Sequence, residues 1–342
     1  MFRLVLGVTL VASVAVTLAA DAPLSIEADA ATQVKADAPI PIKVVVVTMF
    51  ERGADTGDDP GEFQFWVERE KLDTVYAMPA GFRDARGDGH GLLAICTGIG
   101  TARAAASVMA LGLDPRFDLR QAYWVVAGIA GVDPADASVG SAAWAEWVVD
   151  GDLAFEIDGR ELAAGVPSGI TPLTNGRGAA FHLDPALVDW AVGRTSALAL
   201  PDTDGLKASR GRYVGSANAQ RPPFVLKGDT ISGGRFWHGA LMNDWANAFV
   251  REMSGGTGNY VTTGMEDTGT LQSLTFLARA GRVDARRVLV LRTASNYAAP
   301  PPGLSAAQSL EENHNGNYSG YREALEAAYR VGSTVVHDLL KR

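Results

Sequence analysis

Four groups of residues that could bind and polarise a small ligand stand where predicted strands end. They are Glu51, the glycine turn Thr97–Gly100, the pair Met265 and Glu266, and the segment Arg292–Asn296. The carboxyl ends of parallel strands meet at one edge of a sheet, and small ligands bind in the crevice outside that edge. Carboxylates in such a crevice are candidates for catalysis, and the amides at the start of a helix can hold an anion. Together the four groups predict one ligand site.

Each of these signals also has an ordinary structural explanation. A surface salt bridge accounts for Glu51 about as well as catalysis does. Glu266 and Asp267 precede a helix predicted from about Thr268 to Ala280, so either carboxylate could simply cap that helix and offset its dipole. Lone glycine turns are common in proteins. The prediction of a site therefore depends on the four groups occurring in this order.

The elements that must position these groups centre on residues 92–150. An apolar strand, Leu92–Cys96, runs into the first glycine turn and an Ala-rich helix of about Thr101–Leu111. A second apolar strand, Ala122–Val126, ends in a second glycine turn, Ala127–Gly131. Continuous apolar strands joined by a crossover helix are typical of a parallel sheet that is covered on both faces. We therefore predict a βαβ unit whose two glycine turns face one crevice.

Further elements extend this unit into a single α/β domain over residues 39–342. Strands are predicted over 42–48, 142–149, 224–226 and 287–291, and amphipathic helices over 62–72 and 321–340. The irregular stretch at about 151–228 is rich in Pro and Gly, which indicates an insertion at the edge of the domain. The predicted architecture has three layers, with a central mixed, mainly parallel sheet flanked by helices.

The amino terminus predicts export. Arg3 precedes the apolar run Leu4–Val16, and small residues near Ala20 offer a cleavage site, so residues 1–20 are interpreted as a signal peptide. An uncleaved membrane anchor is the alternative, although the run is short for a span. The Ala/Asp-rich residues 21–38 are interpreted as a disordered lead-in. No later apolar run reaches about 18 residues, so we expect a periplasmic or extracellular mature chain without a membrane span.

Composition excludes several classes of protein. The 342 residues are 47% hydrophobic and 20% charged, which is typical of a chain with a sizeable core and not of a disordered one. A net charge of −9 argues against nucleic acid or an anionic membrane as the main partner and favours a small ligand. The five histidines and the single Cys96 show no metal-ligand spacing. We predict neither a metal nor another cofactor.

In order and approximate spacing, the motifs resemble those of the purine nucleoside phosphorylase and nucleosidase superfamily over about residues 42–340. The matching segments are Thr97–Thr101, Ala127–Gly131 with Val139-Gly140, Lys227–Thr230, Met265-Glu266 and Arg292–Asn296. Others, namely Met49–Gly53, Pro60–Phe63 and Ser295–Tyr297 with the prolines after it, resemble the subgroup named purine nucleoside permeases (NUP). The resemblance implies a nucleoside phosphorylase-like fold, a purine nucleoside as ligand and a homo-oligomer.

The resemblance implies roles for residues at the sugar and the nucleophile. Glu266, with Met265 beside it, would hydrogen-bond the ribose hydroxyls, and Glu51 would hold an attacking water. Gly98 and Thr101 would lie at the nucleophile pocket, where helix-start amides could hold an anion. Cleavage of an N-glycosidic bond builds positive charge on the sugar, which a nearby carboxylate stabilises.

At the base, the resemblance implies contacts from Thr230, Ile231 and Asn296. Thr230 and Ile231 would flank the base, and Asn296 would face its imidazole edge, where many relatives place an aspartate that acts as a general acid. An amide cannot give up a proton in that way, but it can donate one hydrogen bond to N7 and contact the 6-substituent. This favours 6-oxopurines such as inosine and guanosine, or a site that binds without turnover.

The nucleophile decides between hydrolysis and phosphorolysis. Phosphorolysis needs arginines around a dianion, and the candidates are Arg52, Arg103 and Arg292. Hydrolysis uses water in place of phosphate as the nucleophile. The water must be positioned, and Glu51 is suited to hold it. Hydrolytic cleavage of a purine nucleoside is therefore the favoured activity.

Two other functions remain open. A non-catalytic nucleoside-binding component of an uptake system would use the same crevice without breaking a bond. A purely structural protein of this fold would have the crevice filled, by Tyr297 or by Trp237. Incubation with nucleosides, with and without phosphate, separates these possibilities.

Overall fold

The central sheet begins with a run of four valines and a threonine, Val44–Thr48, all of them buried. β-branched side chains favour extended backbone, and a strand that is apolar on both faces needs cover on both sides. The computed structural model describes residues 38–163, 169–173, 179–312 and 320–342. The predicted signal peptide at 1–20 and the predicted lead-in at 21–38, apart from Ala38, lie outside the described residues.

The strands, in chain order, are β1 (Ile40–Pro41), β2 (Val44–Thr48), β3 (Thr74–Tyr76), β4 (Ala85–Gly87), β5 (Leu92–Cys96), β6 (Phe117–Asp118), β7 (Tyr123–Val132), β8 (Ala142–Ala145), β9 (Trp147–Asp150), β10 (Ala154–Glu156), β11 (Ile170–Pro172), β12 (Ala180–His182), β13 (Val225–Lys227), β14 (Asp229–Ser232), β15 (Tyr260–Gly264) and β16 (Val288–Tyr297). The α-helices are α1 (Gln64–Arg69), α2 (Thr101–Leu113), α3 (Pro185–Thr195), α4 (Asp204–Gly211), α5 (Ala240–Met253), α6 (Asp267–Arg279), α7 (Ala306–Glu312) and α8 (Tyr321–Leu339). A 3-10 helix spans Gly159–Glu161.

β7 lies at the centre of the sheet. It runs parallel to β2 on one side and to β16 on the other, and β5 continues the sheet beyond β2 as a parallel neighbour. β15 pairs antiparallel with the last residues of β7, and β14 and β9 follow as parallel neighbours. β8 runs antiparallel to β16, and β4 runs antiparallel to β5. The sheet is therefore mixed, with a parallel centre.

Helices cover both faces of this sheet. Neighbouring residues of a strand point to opposite faces, and Arg292 and Thr293 of β16 show what lies on each. Arg292 binds Asp267 at the start of α6, whereas the hydroxyl of Thr293 donates to the carbonyl of Ala324 in α8 at 2.8 Å. The α6 and α8 helices thus lie on opposite faces, and the predicted α/β class, with a mixed sheet flanked by helices, is confirmed.

Several predicted strand ends are wrong, because the strands continue. The predicted turn Ala127–Gly131 is the second half of β7, and Arg292–Tyr297 belongs to β16. Asp229–Ser232, which follows the predicted strand 224–226, forms a separate strand, β14. Glycine in β7 does not form a turn; it allows another side chain to pack closely against the strand. A Cβ on Gly128 would lie 1.9 Å from Met49 Cε. In contrast, the predicted strand 142–149 is interrupted at Glu146, where β8 ends and β9 begins.

The stretch 151–228 is more regular than its composition indicates. β10 and β11 pair as an antiparallel hairpin, β12 adds to the edge of the sheet beside β9, and β13 pairs with β8. The predicted helix near 185–194 is α3, but α4 also lies in this stretch. All described residues belong to one compact unit, Asp37–Arg342. Within these residues, no helix is long and apolar enough to cross a membrane.

Candidate functional site

A cavity of about 250 Å³ opens where β2 and β15 end, beside the second halves of β7 and β16. Of the residues that the sequence predicts for a site, Met265, Glu266, Arg292 and Asn296 line it. The two side chains on which the nucleoside prediction depends, Glu266 and Asn296, therefore face one cavity.

The other predicted site residues do not line this cavity; they are Glu51, Gly98, Thr101, Thr230 and Ile231. Ile99, between two of them, does line it. The hydroxyl of Thr101 donates to the carbonyl of Met265 at 3.1 Å, so Thr101 supports a lining residue. Thr230 is fully buried, and Ile231 lines a neighbouring cavity of about 10 Å³.

Glu51 holds a loop together. Its carboxylate accepts hydrogen bonds from the amides of Gly61, Phe63 (3.1 Å) and Gln64 (2.6 Å). These amides belong to the segment that leads into α1, where helix-start N–H groups have no partner within the helix. The carboxylate of Glu51 therefore stabilises the loop that follows β2.

Glu62 occupies the position at the end of β2 that the sequence predicts for Glu51. The amide of Glu62 donates to the carbonyl of Phe50 at 3.0 Å, which closes the loop after β2 and returns the chain to the strand end. The Glu62 carboxylate accepts from the amide of Met49 at 2.8 Å and from that of Ile129 at 2.7 Å. Burial raises the pKa of Glu62 from 4.5 to about 8, against the opposing effect of Arg292.

Arg292 is held by a buried aspartate below the cavity. Its Nη2 lies 2.7 Å from Oδ1 of Asp267, and its Nε donates to the same carboxylate at 3.0 Å. Nη1 donates to the carbonyl of Ile129 at 3.0 Å, so the Ile129 peptide joins Arg292 to Glu62. Burial opposes the charge of Arg292, yet Asp267 and Glu266 raise its pKa above the ordinary value. The guanidinium is thus a fixed positive charge.

Glu266 is oriented by three donors, one of which is the amide of Met265 at 3.3 Å from its Oε2, and it lines the cavity. Its Oε1 accepts from the amide of Gly100, ahead of α2, at 3.1 Å, and its Oε2 accepts from Nη2 of Arg292 at 3.0 Å. Burial raises the pKa of Glu266 above its ordinary range, while Arg292 opposes that shift. Glu266 precedes α6 but makes no side-chain bond to the amides of that helix, so the capping explanation is wrong for it.

Asn296 is oriented by its neighbours in β16. Its Oδ1 accepts from the hydroxyl of Ser295 at 2.9 Å, and its Nδ2 donates to the carbonyl of Tyr297 at 3.2 Å. An amide nitrogen carries two hydrogens, so one remains available toward the cavity. Asn296 pairs with Gly131 across the strands, where a Cβ would lie 3.3 Å from Nδ2. Glycine at 131 thus leaves room for the amide.

Family comparison identifies the group to which this protein belongs. The profile of the purine nucleoside permease (NUP) family matches residues 41–342. The chain belongs to the purine nucleoside permease family. A probable purine nucleoside permease of Schizosaccharomyces pombe is 31% identical over 262 residues, which cover 71% of this chain and 74% of that protein. The purine nucleoside permease of Candida albicans is 31% identical over 261 residues, or 72% of this chain and 63% of its own length.

Solved structures with the same fold are nucleosidases. A 5′-methylthioadenosine/S-adenosylhomocysteine nucleosidase from Neisseria meningitidis aligns over 87% of this permease-family chain and 100% of its own, with a TM-score of 0.50 and 19% identity. A Helicobacter pylori nucleosidase mutant with 5′-methylthioadenosine in the active site has a TM-score of 0.53 at 15% identity, covering 87% and 99% of the two chains. These likenesses show that this chain has the nucleoside phosphorylase-like fold.

Sequence reasoning missed several lining residues of this family member. Glu62 stands in the matched motif Pro60–Phe63, but the resemblance implies the water-holding role for Glu51, which is nearer to the apolar run of β2. Tyr321 and the loop residues Arg235 and Phe236 also line the cavity, and no motif distinguishes them. Trp237, named above as a residue that would fill the crevice of a purely structural protein, lines the cavity as well. Among the described residues, no group of three or more His, Cys, Asp and Glu side chains is placed to hold a metal ion.

Proposed function

We propose that this protein binds a purine nucleoside in the cavity and hydrolyses its N-glycosidic bond. The observation that carries the proposal is that Glu62, Glu266 and Asn296 line one cavity. The three side chains match the three needs of the reaction, which are a base for water, an anion beside the sugar and a hydrogen-bond donor at the purine.

Glu266 is the proposed ligand of the ribose hydroxyls, with Met265 against the sugar. Gly100 and Arg292 already fix its carboxylate, so little rearrangement is needed when a ribose arrives. Its negative charge also favours the positive charge that develops on the sugar as the bond to the base breaks. Thr101 contributes through its hydrogen bond to the carbonyl of Met265.

Glu62 is the proposed general base, in place of Glu51. Each oxygen of its carboxylate already accepts one backbone amide, and each retains capacity to accept a hydrogen bond from water. In the reaction the water oxygen bonds to the anomeric carbon, and the bond from that carbon to the base nitrogen breaks with its electron pair on the base. The water proton passes to Glu62, and the purine anion takes up a proton from solvent. A pKa of about 8 lies close to working pH, which suits a residue that takes up and releases a proton.

Asn296 is the proposed contact at the imidazole edge of the purine. Its free N–H can donate to N7 and so stabilise the departing base without giving up a proton. Trp237 lines both the main cavity and the small cavity that Ile231 lines, and the roles of Thr230 and Ile231 beside the base stay predictions. The preference for 6-oxopurines remains a prediction, which a comparison of inosine with adenosine tests.

The charges of the cavity favour water over phosphate as the nucleophile. Arg292 is held by Asp267 and Glu266, and Glu62 lies close enough to affect its charge state. Arg52 is paired with Asp59 at 2.6 Å. A phosphate dianion beside these carboxylates would be repelled, since like charges in a low-dielectric site destabilise each other. Hydrolysis is therefore proposed over phosphorolysis.

The test is incubation of the purified protein with inosine, guanosine and adenosine, with and without phosphate. Release of free base without phosphate supports hydrolysis, whereas release that requires phosphate supports phosphorolysis. Glu62→Gln is expected to lower kcat by about 10² to 10⁴ with little effect on binding, and Glu51→Gln is the matched control. The opposite pattern, with Glu51→Gln inactive and Glu62→Gln active, would return the role of base to Glu51.

A non-catalytic role in uptake is the second candidate, and Asn296 is the observation that favours it. An amide cannot protonate the leaving base, so the site could hold a nucleoside intact. Tight binding by calorimetry without release of base would support this role. In either case, Glu266→Gln tests whether the nucleoside binds in this cavity, because the substitution is expected to weaken binding of the ribose.

Export is a further part of the proposal, and its support is the predicted signal peptide at 1–20. The mature chain would then act in the periplasm or outside the cell. Mass spectrometry of the protein recovered from the periplasm would show a new amino terminus near Ala20, and an intact Met1 would contradict export by cleavage. The homo-oligomer stays a prediction that light scattering tests.

A further inference from the structure

Arg52 is a lining residue for which the proposed reaction has no use. Its guanidinium lies 4.2 Å from the centre of the Tyr321 ring, and its Nη1 lies 2.6 Å from Oδ2 of Asp59. Asp59 is shared, because its Oδ1 lies 2.6 Å from Nη2 of Arg322. Arg52 lines the cavity but Arg322 does not. A guanidinium has five N–H donors, so Arg52 has donors beyond the one that Asp59 engages.

The position of Arg52 in the cavity indicates that it would contact the 5′ end of a bound nucleoside. This inference rests on the proposed placement of the ribose at Glu266 and the base at Asn296. The 5′ carbon of a ribose is attached at C4′, on the far side of the ring oxygen from the carbon that carries the base, and the 5′ substituent therefore extends beyond the ribose hydroxyls that Glu266 is proposed to bind. Phe50, Arg52 and Tyr321 form one group in the cavity lining, with the two aromatic ring centres 6.3 Å apart, and we place the 5′ end of the nucleoside against this group.

We propose that Arg52 determines specificity at the 5′ position by donating a hydrogen bond to a 5′ hydroxyl. Nucleosides with a 5′ hydroxyl are then favoured over nucleosides with a 5′ alkylthio group. The thioether is a weak acceptor, so it would cover guanidinium N–H groups without pairing them, and unpaired donors carry a desolvation penalty. Phe50 and Tyr321 can contact either substituent, so the discrimination falls to Arg52.

The expected preference for a 5′ hydroxyl is moderate, because Arg52 is partly exposed to water. The side chain of Arg52 is 42% exposed, so water can satisfy some donors when an alkylthio group is bound. A fully buried polar site rejects a substrate that lacks the matching group by 10⁴ or more, and a wet one discriminates much less. We expect about a tenfold preference in kcat/KM for the 5′ hydroxyl.

The experiment compares inosine with 5′-methylthioinosine in the full-length mature protein. The ratio of the two kcat/KM values is measured for the wild type, for Arg52→Met and for the matched control Arg322→Met. Methionine keeps an apolar stem against Tyr321 and removes the donors. The ratio is expected to fall from about ten to about one in Arg52→Met and to stay near ten in Arg322→Met.

Two results would overturn the inference. One is a ratio that Arg52→Met leaves unchanged. The other is a ratio that collapses in Arg235→Met, since Arg235 lines the cavity at the loop before Trp237 and would then contact the 5′ end. Failure of the proposed function looks different, because neither nucleoside would release its base in any variant. In that event the same ratio is taken from the dissociation constants, and the same changes are expected in it.

Discussion

Arg292 and Arg52 line the same cavity, and each lies at nearly the same distance from an aspartate. The nitrogen-to-oxygen distance is 2.7 Å between Arg292 and Asp267 and 2.6 Å between Arg52 and Asp59. The side chains of the first pair are 2% and 0% exposed, and those of the second are 42% and 48% exposed. Two arginine–aspartate pairs with nearly equal distances therefore differ strongly in their exposure to water.

The difference in burial determines what each pair contributes. An exposed ion pair gives about 0 to 1 kcal/mol, because water screens both charges. Loss of one partner of a buried pair costs about 3 to 5 kcal/mol, because the remaining charge stays in a low dielectric without compensation. The floor of the cavity, formed by Arg292, Asp267, Glu266 and Glu62, thus fixes the geometry. The rim at Arg52 keeps donors that a ligand can use.

The largest effect is expected when the floor loses its aspartate. Asp267→Asn removes a charge that Arg292 contacts through both Nε and Nη2, while the pair with Glu266 remains. The free energy of unfolding should fall by about 3 kcal/mol. Urea denaturation measures it, with each variant compared at the same pH. A loss below about 0.5 kcal/mol, the range of surface substitutions, would show that the floor is no different from the rim.

A second prediction uses the proton on Glu62. Its folded pKa, about 8, lies above its unfolded value, so the protonated form is favoured on folding. The stability that this gives is complete below about pH 4.5 and is lost as pH rises through 8. Glu62→Gln removes that loss. The variant should match the wild type near pH 5 and exceed it at pH 9 by on the order of a few kcal/mol.

Urea unfolding at several pH values tests this expectation. Glu266 also has a raised pKa, so the wild type keeps part of its pH dependence even in Glu62→Gln. If the two proteins lose stability in parallel from pH 5 to pH 9, the carboxyl of Glu62 is not the group that titrates.

A third prediction concerns the space above the floor. A Cβ on Gly264 would lie 2.7 Å from Cζ of Arg292 and 2.7 Å from Oδ2 of Asp267, so Gly264→Ala must displace a pair that has little room. The expected loss is about 1 to 3 kcal/mol. Gly193→Ala in α3 is the matched control, because nothing lies within 4 Å of its Cβ and alanine favours helix by about 0.5 to 1 kcal/mol. Equal effects on thermal unfolding would contradict the prediction.

The segments Leu92–Cys96 and Ala127–Gly131 show where prediction from the sequence succeeds and where it fails. Leu92–Cys96 was predicted with its observed bounds, because local apolar patterning decides a strand that is buried on both faces. Ala127–Gly131 was predicted as a turn, but there glycine is required by tertiary contacts with Met49 and Glu62. Local preference cannot show which side chain a distant loop will bring against a glycine.

The sequence predicts Glu51 as the residue that holds water, and the loop after β2 explains why Glu62 is proposed in its place. Both carboxylates lie in that loop, and which of them lines the cavity depends on how the loop closes. The bond from the amide of Glu62 to the carbonyl of Phe50 returns Glu62 to the strand end, and Glu51 is used to hold the closed loop. Glu266 follows β15 by two residues and Asn296 lies within β16, and both line the cavity although β15 runs antiparallel to β7.

The smallest effect is expected at the rim, and it completes the comparison. Asp59→Asn removes the carboxylate that Arg52 and Arg322 share. Both arginines remain in contact with water, so the free energy of unfolding should change by less than about 0.5 kcal/mol. High salt should leave the difference between variant and wild type near zero, since screening has already removed most of it. A loss of several kcal/mol would mean that Asp59 supports the loop over Glu62, and the rim would then belong to the fixed part of the site.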